Sequence, residues 1–184
     1  MLNLEPIWEA DTQQTQYRML LDAMSRPGCR YPLSHVSEGA TVALSILATL
    51  LDAEVSLADP HNLLRDKDWP MLQAKSCTEK QADYILCDGK RAPGFQPKMG
   101  TLPSPELSAT LIVVVDSLSS GDTHLQVTGP GVERCNAIDI NGLSAEWIVM
   151  REDWNCAFPL GVDMIFVDCT HIVALPRTAK VEVM

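Results

Sequence analysis

An unbroken run of aliphatic residues in the second half of the chain places the strongest limit on its fold. Residues 111–115 read Leu-Ile-Val-Val-Val, inside the longer segment 109–116. A strand with one face in water alternates apolar and polar residues, whereas this run has no polar position. The run therefore predicts a central β-strand that is buried on both faces, in a sheet with covering layers on each side.

The N-terminal part of the sequence has helical periodicity. Apolar residues recur at helical spacing from Tyr17 to Met24, until Pro27 and Gly28 end the segment. A nearly all-apolar segment at 39–51 predicts a second helix, covered on most of its sides. A polar helix is expected near residues 62–66, and another helix at 143–151.

The remaining patterns predict strands and one long loop. Strands are expected at 55–58, 84–87, 124–128, 162–167, 172–175 and 180–183, the last three forming an antiparallel meander. Residues 91–105 contain four prolines and two glycines and predict a long loop, which tends to carry function or contact a partner. The fold class is therefore α/β, a mixed sheet with helices on its faces, with one domain over residues 1–184.

The charge balance disfavours several classes of partner. Asp and Glu number 24 against 14 Lys and Arg, so the formal net charge is −10. Such a chain repels nucleic acid and anionic membranes at long range, and no apolar run approaches the ~20 residues of a membrane helix. A small phosphate ligand stays compatible with this charge, because a local arginine cluster overcomes a distant negative field.

Cysteine usage predicts a reduced, cytoplasmic protein without a metal site. The six cysteines have no metal-binding spacing, and the first residues do not resemble a secretory signal. They are Cys29, Cys77, Cys87, Cys135, Cys156 and Cys169.

Two arginine segments are candidates for binding an anion. Ser25-Arg26-Pro27-Gly28 places a guanidinium at a helix end, and Pro176-Arg177-Thr178 places another between the last two strands. Together the two arginines would form a fork for an oxyanion. Their spacing equally allows structural roles, as a basic helix terminus and as a β-bulge. The candidate anion-binding residues are Arg18, Ser25, Arg26, Gly28, Arg177 and Thr178.

No catalytic residue is assigned from the sequence. The segment Gly129-Pro130-Gly131 lacks both the spacing of a dinucleotide-binding loop and the lysine of a P-loop, which favours a tight turn. Asp163 is either a base or a cap for a nearby backbone N–H, and no partner can be placed beside it. Neither GxSxG nor HExxH occurs. This pattern is more typical of a subunit than of an enzyme acting alone.

Several of these segments, in their order along the chain, closely resemble the H subunit family of the bacterial carbon–phosphorus lyase system (PhnH). The resemblance runs from about residue 12 to the C-terminus. Ser108 stands where such proteins are expected to have a glycine. The segments that carry the resemblance are 17–28, 50–52, Gly100-Thr101, Pro105-Glu106, 109–111, 129–131, 158–163 and 176–178.

The resemblance implies a fold like the large domain of type I pyridoxal-phosphate transferases, without the cofactor lysine, so no cofactor is expected. It also implies a homodimer when isolated and a core complex with the G, I and J subunits. In that family the assembly replaces the adenine of ATP with a phosphonate, giving ribose 1-phosphonate 5-triphosphate. The iron–sulfur cysteines of the later radical step belong to the J subunit.

Three functional hypotheses follow from the residues and the resemblance. The first is an accessory subunit of the phosphonate-activating transferase, which should co-purify with the other subunits. The second is a module that binds a phosphonate or nucleotide phosphate through Arg26 and Arg177. The third is an independent transferase or metalloenzyme, which turnover by the isolated chain would reveal.

Overall fold

The computed structural model describes residues 5–33 and 41–184. Its helices are α1 (Ala10–Ser25), α2 (Val42–Leu50), α3 (Trp69–Leu72) and α4 (Glu146–Asn155), with a 3-10 turn at Pro6–Trp8 before α1. In this part of the chain no helix is long and apolar enough to cross a membrane. The strands are β1 (Arg30–Pro32), β2 (Ser56–Ala58), β3 (Lys75–Ser76), β4 (Tyr84–Asp88), β5 (Met99–Thr101), β6 (Ser104–Ser108), β7 (Thr110–Val114), β8 (Thr123–Thr128), β9 (Asn136–Ile140), β10 (Asp163–Val167), β11 (His171–Leu175) and β12 (Lys180–Val183).

The main sheet has seven strands in the order β1-β11-β10-β7-β4-β2-β3. Its centre is β7, which pairs in parallel with β4 on one side and β10 on the other. Ile112 and Val113 point to opposite faces of the sheet and are both fully buried. The prediction of a central strand buried on both faces is therefore confirmed.

Helices α1 and α2 cover one face of the main sheet. Ile46 and Leu47 of α2 join one apolar cluster with Ile112 of β7 and Ile165 of β10. The Thr41 hydroxyl accepts a hydrogen bond from the Leu44 N–H (3.1 Å), which caps the start of α2. The expected covered helix is confirmed over Val42–Leu50, while residues 39 and 40 lie outside the described part.

The other face of the main sheet is covered by α4 and by a second sheet with the order β12-β8-β9. Trp147 and Trp154 of α4 are almost fully buried and pack with Phe95. Helices therefore cover one face as expected, whereas a sheet and a helix share the other. The expected helix at 143–151 begins later, at Glu146, and ends at Asn155.

The predicted C-terminal meander is wrong in its last strand. Strands β10 and β11 are antiparallel neighbours, but β12 pairs with β8 in the second sheet. Pro176 has no N–H to extend the ladder, and the Arg177 N–H donates to Asp163 Oδ1 (2.7 Å) instead. The chain therefore leaves the main sheet after Leu175, and the expected β-bulge is a crossing between two layers.

Two further expectations need correction. Part of the predicted loop at 91–105 is ordered, because β5 and β6 form an antiparallel hairpin. No helix forms at 62–66, where Asn62 has a left-handed φ of 54°. The Asp59 carboxylate accepts hydrogen bonds from the N–H groups of Leu63 (3.0 Å) and Leu64 (2.8 Å). These local bonds satisfy the backbone in a turn, in competition with a helix.

Candidate functional site

The predicted anion-binding residues of the first segment lie at the end of α1. Arg18, Ser25 and Arg26 are exposed, and the side-chain hydroxyl of Ser25 donates to the Asp22 carbonyl (2.9 Å). A hydrogen bond with Tyr31, together with the nearby charge of Asp22, raises the pKa of Arg26. This guanidinium is therefore held by its own helix end and the strand that follows.

Gly28 allows the sharp turn after α1. Its φ is +80°, and a Cβ at this position would lie 2.9 Å from the Asn136 Cβ, so a side chain would meet both strain and a clash. The Gly28 N–H donates to the Ala174 carbonyl (3.2 Å), and the Asn136 amide donates to the Pro27 carbonyl (2.7 Å). The turn is thus fastened to both sheets.

Arg177 is the centre of a dense hydrogen-bond network. Its guanidinium makes an ion pair with Asp163 (Nη2 to Oδ2, 2.6 Å), with side chains 14% and 17% exposed. It also donates to the Pro105 carbonyl (2.9 Å), the Pro159 carbonyl (3.4 Å) and the Ser108 hydroxyl. Asp163 accepts the Arg177 N–H as well, in agreement with the capping alternative for this residue. Arg177 therefore joins β10, the β5–β6 hairpin and the turn before β12.

The two arginines do not share a hydrogen-bond partner in the described part of the chain. The Gly129-Pro130-Gly131 loop lies between their segments. A Cβ on Gly131 would overlap the Ser25 carbonyl oxygen, and a Cβ on Gly129 would lie 3.1 Å from the Thr178 carbonyl oxygen. The loop is a close-packed turn that brings Ser25 and Thr178 near its two ends, while Arg26 faces Tyr31 and Arg177 faces Asp163.

A set of polar residues that the sequence reasoning missed lies at the carboxyl ends of the parallel strands. Strands β2, β4, β7 and β10 run in parallel. Strand β4 ends at an aspartate, and each of the other three is followed by an aspartate within two residues. Ligands of open α/β sheets bind outside this edge. A cavity of about 500 Å³ lies there, between the start of α2 and the strand ends, and we call it the strand-end cleft. The four aspartates are Asp59, Asp88, Asp116 and Asp168.

Asp168 is the most buried of the four aspartates. Its carboxylate accepts hydrogen bonds from the N–H groups of Leu118 (2.9 Å), Thr170 (2.7 Å) and His171 (2.6 Å). Burial by itself would raise the pKa of Asp168, but these donors outweigh it and hold the pKa below its ordinary value. Asp168 therefore stays ionised and orders the loops that follow β7 and β10.

His61 completes the polar edge. The Asp88 N–H donates to His61 Nδ1 (2.8 Å), so this nitrogen is an acceptor and the ring proton resides on Nε2. Burial, together with the nearby positive charge of Arg91, lowers the pKa of His61. The neutral ring is thus the favoured form.

The chemistry available in the strand-end cleft is limited by these contacts. Of the two aspartates that line it, Asp168 accepts backbone N–H groups and Asp116 pairs with Lys90 (2.8 Å). Within residues 5–33 and 41–184, no group of three or more His, Cys, Asp or Glu side chains is placed to hold a metal ion. The cleft is a well-ordered pocket whose carboxylates already have donors.

The fold and this site define an α/β protein with a parallel strand core and a second small sheet. The model of a bacterial phosphonate metabolism protein family, PhnH, matches residues 7–182. A putative carbon–phosphorus lyase subunit, HtxG of Stutzerimonas stutzeri, is 38% identical over 176 residues, covering 96% of this chain and 89% of that protein.

A second relative is the PhnH subunit of alpha-D-ribose 1-methylphosphonate 5-triphosphate synthase of Rhizobium meliloti (strain 1021). It is 27% identical over 189 aligned positions, covering 97% of this chain and 92% of that protein. The chain therefore belongs to the PhnH family of bacterial phosphonate metabolism, which confirms the resemblance seen in its sequence.

Proposed function

We propose that this protein is the H-type subunit of a multi-subunit carbon–phosphorus lyase. In this role it assists the transferase step in which a phosphonate displaces adenine from ATP, giving ribose 1-phosphonate 5-triphosphate. The observation that carries the proposal is the family match over residues 7–182, which is nearly the whole chain. Both relatives bear names of subunits in this chemistry, which supports it.

We infer that the subunit contributes contact surface and shape, with no turnover of its own. General acid–base catalysis needs a titratable group that is free to reach the substrate. Arg177 and Asp163 are bonded to each other, and Asp168 is bonded to three backbone N–H groups. These contacts support a structural role for Arg177, Asp163 and Asp168, in which their charges stabilise the fold.

The β5–β6 hairpin is the contact arm that we propose for assembly. Leu102 at its tip is 72% exposed, and Leu107 on β6 is 53% exposed. These exposed apolar side chains on one hairpin are available for contact with a partner. The hydrogen bond from Arg177 to the Pro105 carbonyl holds the arm against the main body.

The partners, the cytoplasmic location and the finer fold relationship remain predictions. The partners are a second copy of the chain in the isolated protein, and the G, I and J subunits in the complex. Similarity of the main sheet to the large domain of type I pyridoxal-phosphate transferases is predicted too, as is anion binding through Arg18, Ser25, Arg26, Gly28, Arg177 and Thr178.

Co-expression with the G, I and J subunits tests the proposed function. We expect the tagged chain to co-purify with all three, and the complex to consume ATP and methylphosphonate while releasing adenine. The isolated chain should leave both compounds unchanged. Release of adenine by the isolated chain, or failure to co-purify, would contradict the proposal.

A matched pair of variants tests the contact arm. Leu102→Ser should reduce recovery of the complex by about tenfold, because the lost apolar contact is worth roughly 1–2 kcal/mol. The control is Val149→Ser, which replaces an apolar residue of similar exposure (65%) on α4. Equal recovery of the two variants in a pull-down would show that the hairpin is not the arm.

A further inference from the structure

A second cavity lies on the opposite side of the main sheet from α1 and α2. It has a volume of about 640 Å³ and is lined by α4 and by the turn that leads into β12. We call it the α4 cavity. Pockets of this size commonly hold small ligands. Ile148, Phe158 and Val181 contribute its apolar lining, while Arg151, Asn155 and Arg177 contribute polar groups.

Arg151 is a buried positive charge that has no acidic partner in the described part of the chain. The residue is 4% exposed, and its Nη2 donates to the carbonyls of Pro176 (2.7 Å) and Ala179 (3.0 Å). Its Nε is buried and has no hydrogen-bond partner among the described residues. Burial lowers the pKa of Arg151 to about 10, opposed by the charge of Asp163, so the side chain is still protonated at neutral pH.

Among the described residues no acidic side chain makes an ion pair with Arg151, although the charge of Asp163 acts on it. Asp163 is already engaged with Arg177, both through its side chain and through the Arg177 N–H. Glu152 and Glu182 also line the cavity, but both are exposed, and Lys180 stands at the same rim. Water screens the rim charges, whereas a buried charge without a counterion is strongly unfavourable.

Asn155 provides a second donor beside Arg151 in the lining of the cavity. Its Oδ1 accepts the Val162 N–H (2.8 Å), which fixes the orientation of the amide. The Nδ2 group is then the free end, and it is buried without a partner among the described residues. Two buried donors, one of them charged, thus lack acceptors among the described residues, and both belong to residues that line the α4 cavity.

We propose that the α4 cavity binds the phosphate or phosphonate group of a small molecule through Arg151 and Asn155. The Nη2 group already donates to two carbonyls, so the Nε–H is the donor left for an oxyanion, and the anion supplies the missing counterion. The apolar lining, with the exposed Phe158, leaves room for an organic substituent. This site goes beyond the subunit role, since it requires no other protein, and its key arginine is neither Arg26 nor Arg177.

Nuclear magnetic resonance of the arginine Nε–H groups in the full-length chain tests the site directly. Inorganic phosphate, methylphosphonate, ATP and acetate are titrated separately. We expect the Arg151 signal to shift and saturate with the phosphorus anions, while the signal of Arg134, exposed and outside the cavity, stays in place. Tighter binding of ATP would identify a nucleotide site, and tighter binding of methylphosphonate a phosphonate site.

Three results would overturn the proposal. They are the absence of a saturating shift at Arg151 with every phosphorus anion, an equal shift at Arg134, and acetate as the tightest ligand. The titration uses only the wild-type protein, so the test does not depend on whether a variant folds.

A conservative substitution measures the contribution of the guanidinium. Arg151→Lys keeps the charge but loses the Nε–H donor, so affinity for the tightest phosphorus anion should fall about tenfold. Arg134→Lys should leave affinity unchanged. Circular dichroism confirms that each variant is folded, and unchanged affinity in a folded Arg151→Lys protein would contradict the assignment.

Discussion

Arg177 and Arg151 line the same cavity, yet their surroundings differ sharply. Arg177 has an aspartate partner at 2.6 Å, and its other guanidinium hydrogen bonds go to two carbonyls and a hydroxyl. Arg151 is more deeply buried and has two carbonyl acceptors but no carboxylate partner among the described residues. A neutralised arginine stabilises its own fold, whereas an arginine without a counterion leaves charge for a ligand. The difference separates a structural role from a binding role in two neighbouring residues.

The largest expected effect comes from breaking the neutralised pair. Arg177→Met leaves Asp163 without its counterion and should lower the free energy of unfolding by about 3 kcal/mol. Urea denaturation measures the loss. The double variant with Asp163→Asn should lose less than the sum of the single variants, because the two residues interact. Additive losses would show that the ion pair does not carry this stability.

Asp168 differs from both arginines, because it is an acid whose charge is balanced by backbone N–H groups. Asp168→Asn should cost about 2 kcal/mol at pH 7, since three hydrogen bonds to a charged group are weakened. Its pKa lies below the ordinary 3.8, so the ionised group stabilises the fold above that pH. This stability is lost as the pH falls through the lower pKa of the folded protein.

The difference in stability between wild type and Asp168→Asn should therefore shrink as the pH is lowered below 3.8. Urea denaturation from pH 7 to pH 3 measures it, with the exposed Asp122→Asn as the control. A difference that stays constant with pH would mean that the charge of Asp168 does not contribute.

Replacing Arg151 should lower the free energy of unfolding less than replacing Arg177 does. Arg151→Met loses two hydrogen bonds but also relieves a buried charge, so we expect a loss of about 1 kcal/mol. Added methylphosphonate should raise the melting temperature of the wild type and leave that of the variant unchanged. Equal ligand-induced shifts of the melting temperature in both proteins would show that Arg151 does not differ from Arg177 by binding the ligand.

The smallest expected effect concerns one acceptor of Arg177. Ser108→Ala removes its hydroxyl acceptor, while the bonds to Asp163 and Pro105 remain, so the loss should be about 0.5 kcal/mol. Ser104→Ala on the same strand is the control. A loss comparable with that of Arg177→Met would show that the hydroxyl, and not the ion pair, dominates the network.

The sequence predicted the centre of the fold well because a fully buried segment consists of consecutive apolar residues, which can be recognised locally. The run of five aliphatic residues identified β7, and the all-apolar segment identified α2. No comparable local pattern indicates which sheet β12 joins. Its alternating pattern fits either sheet, and in the structure β12 joins β8 after a turn in which the Arg177 N–H donates to Asp163 Oδ1. A contact between residues far apart in sequence cannot be read from either segment alone.

The candidate sites were predicted less well, for a related reason. Asp59, Asp88 and Asp168 each lie at or just after the end of a strand, but only the parallel pairing of those strands places them along one edge. Arg151 sits in a helix of mixed composition, and nothing local marks it as buried. A repeated aspartate after successive strands was the available signal for the strand-end cleft, once those strands are taken as parallel.

The pairing of β12 with β8 has a consequence for how the protein is made. Strand β8 leaves the ribosome well before β12, and β1 likewise waits for β11. Until the later strands emerge, a nascent chain carries unpaired strand edges, which invite aggregation. We therefore expect the protein to reach its native state only after β12 has emerged from the ribosome, and its yield in cells to respond to the supply of chaperones.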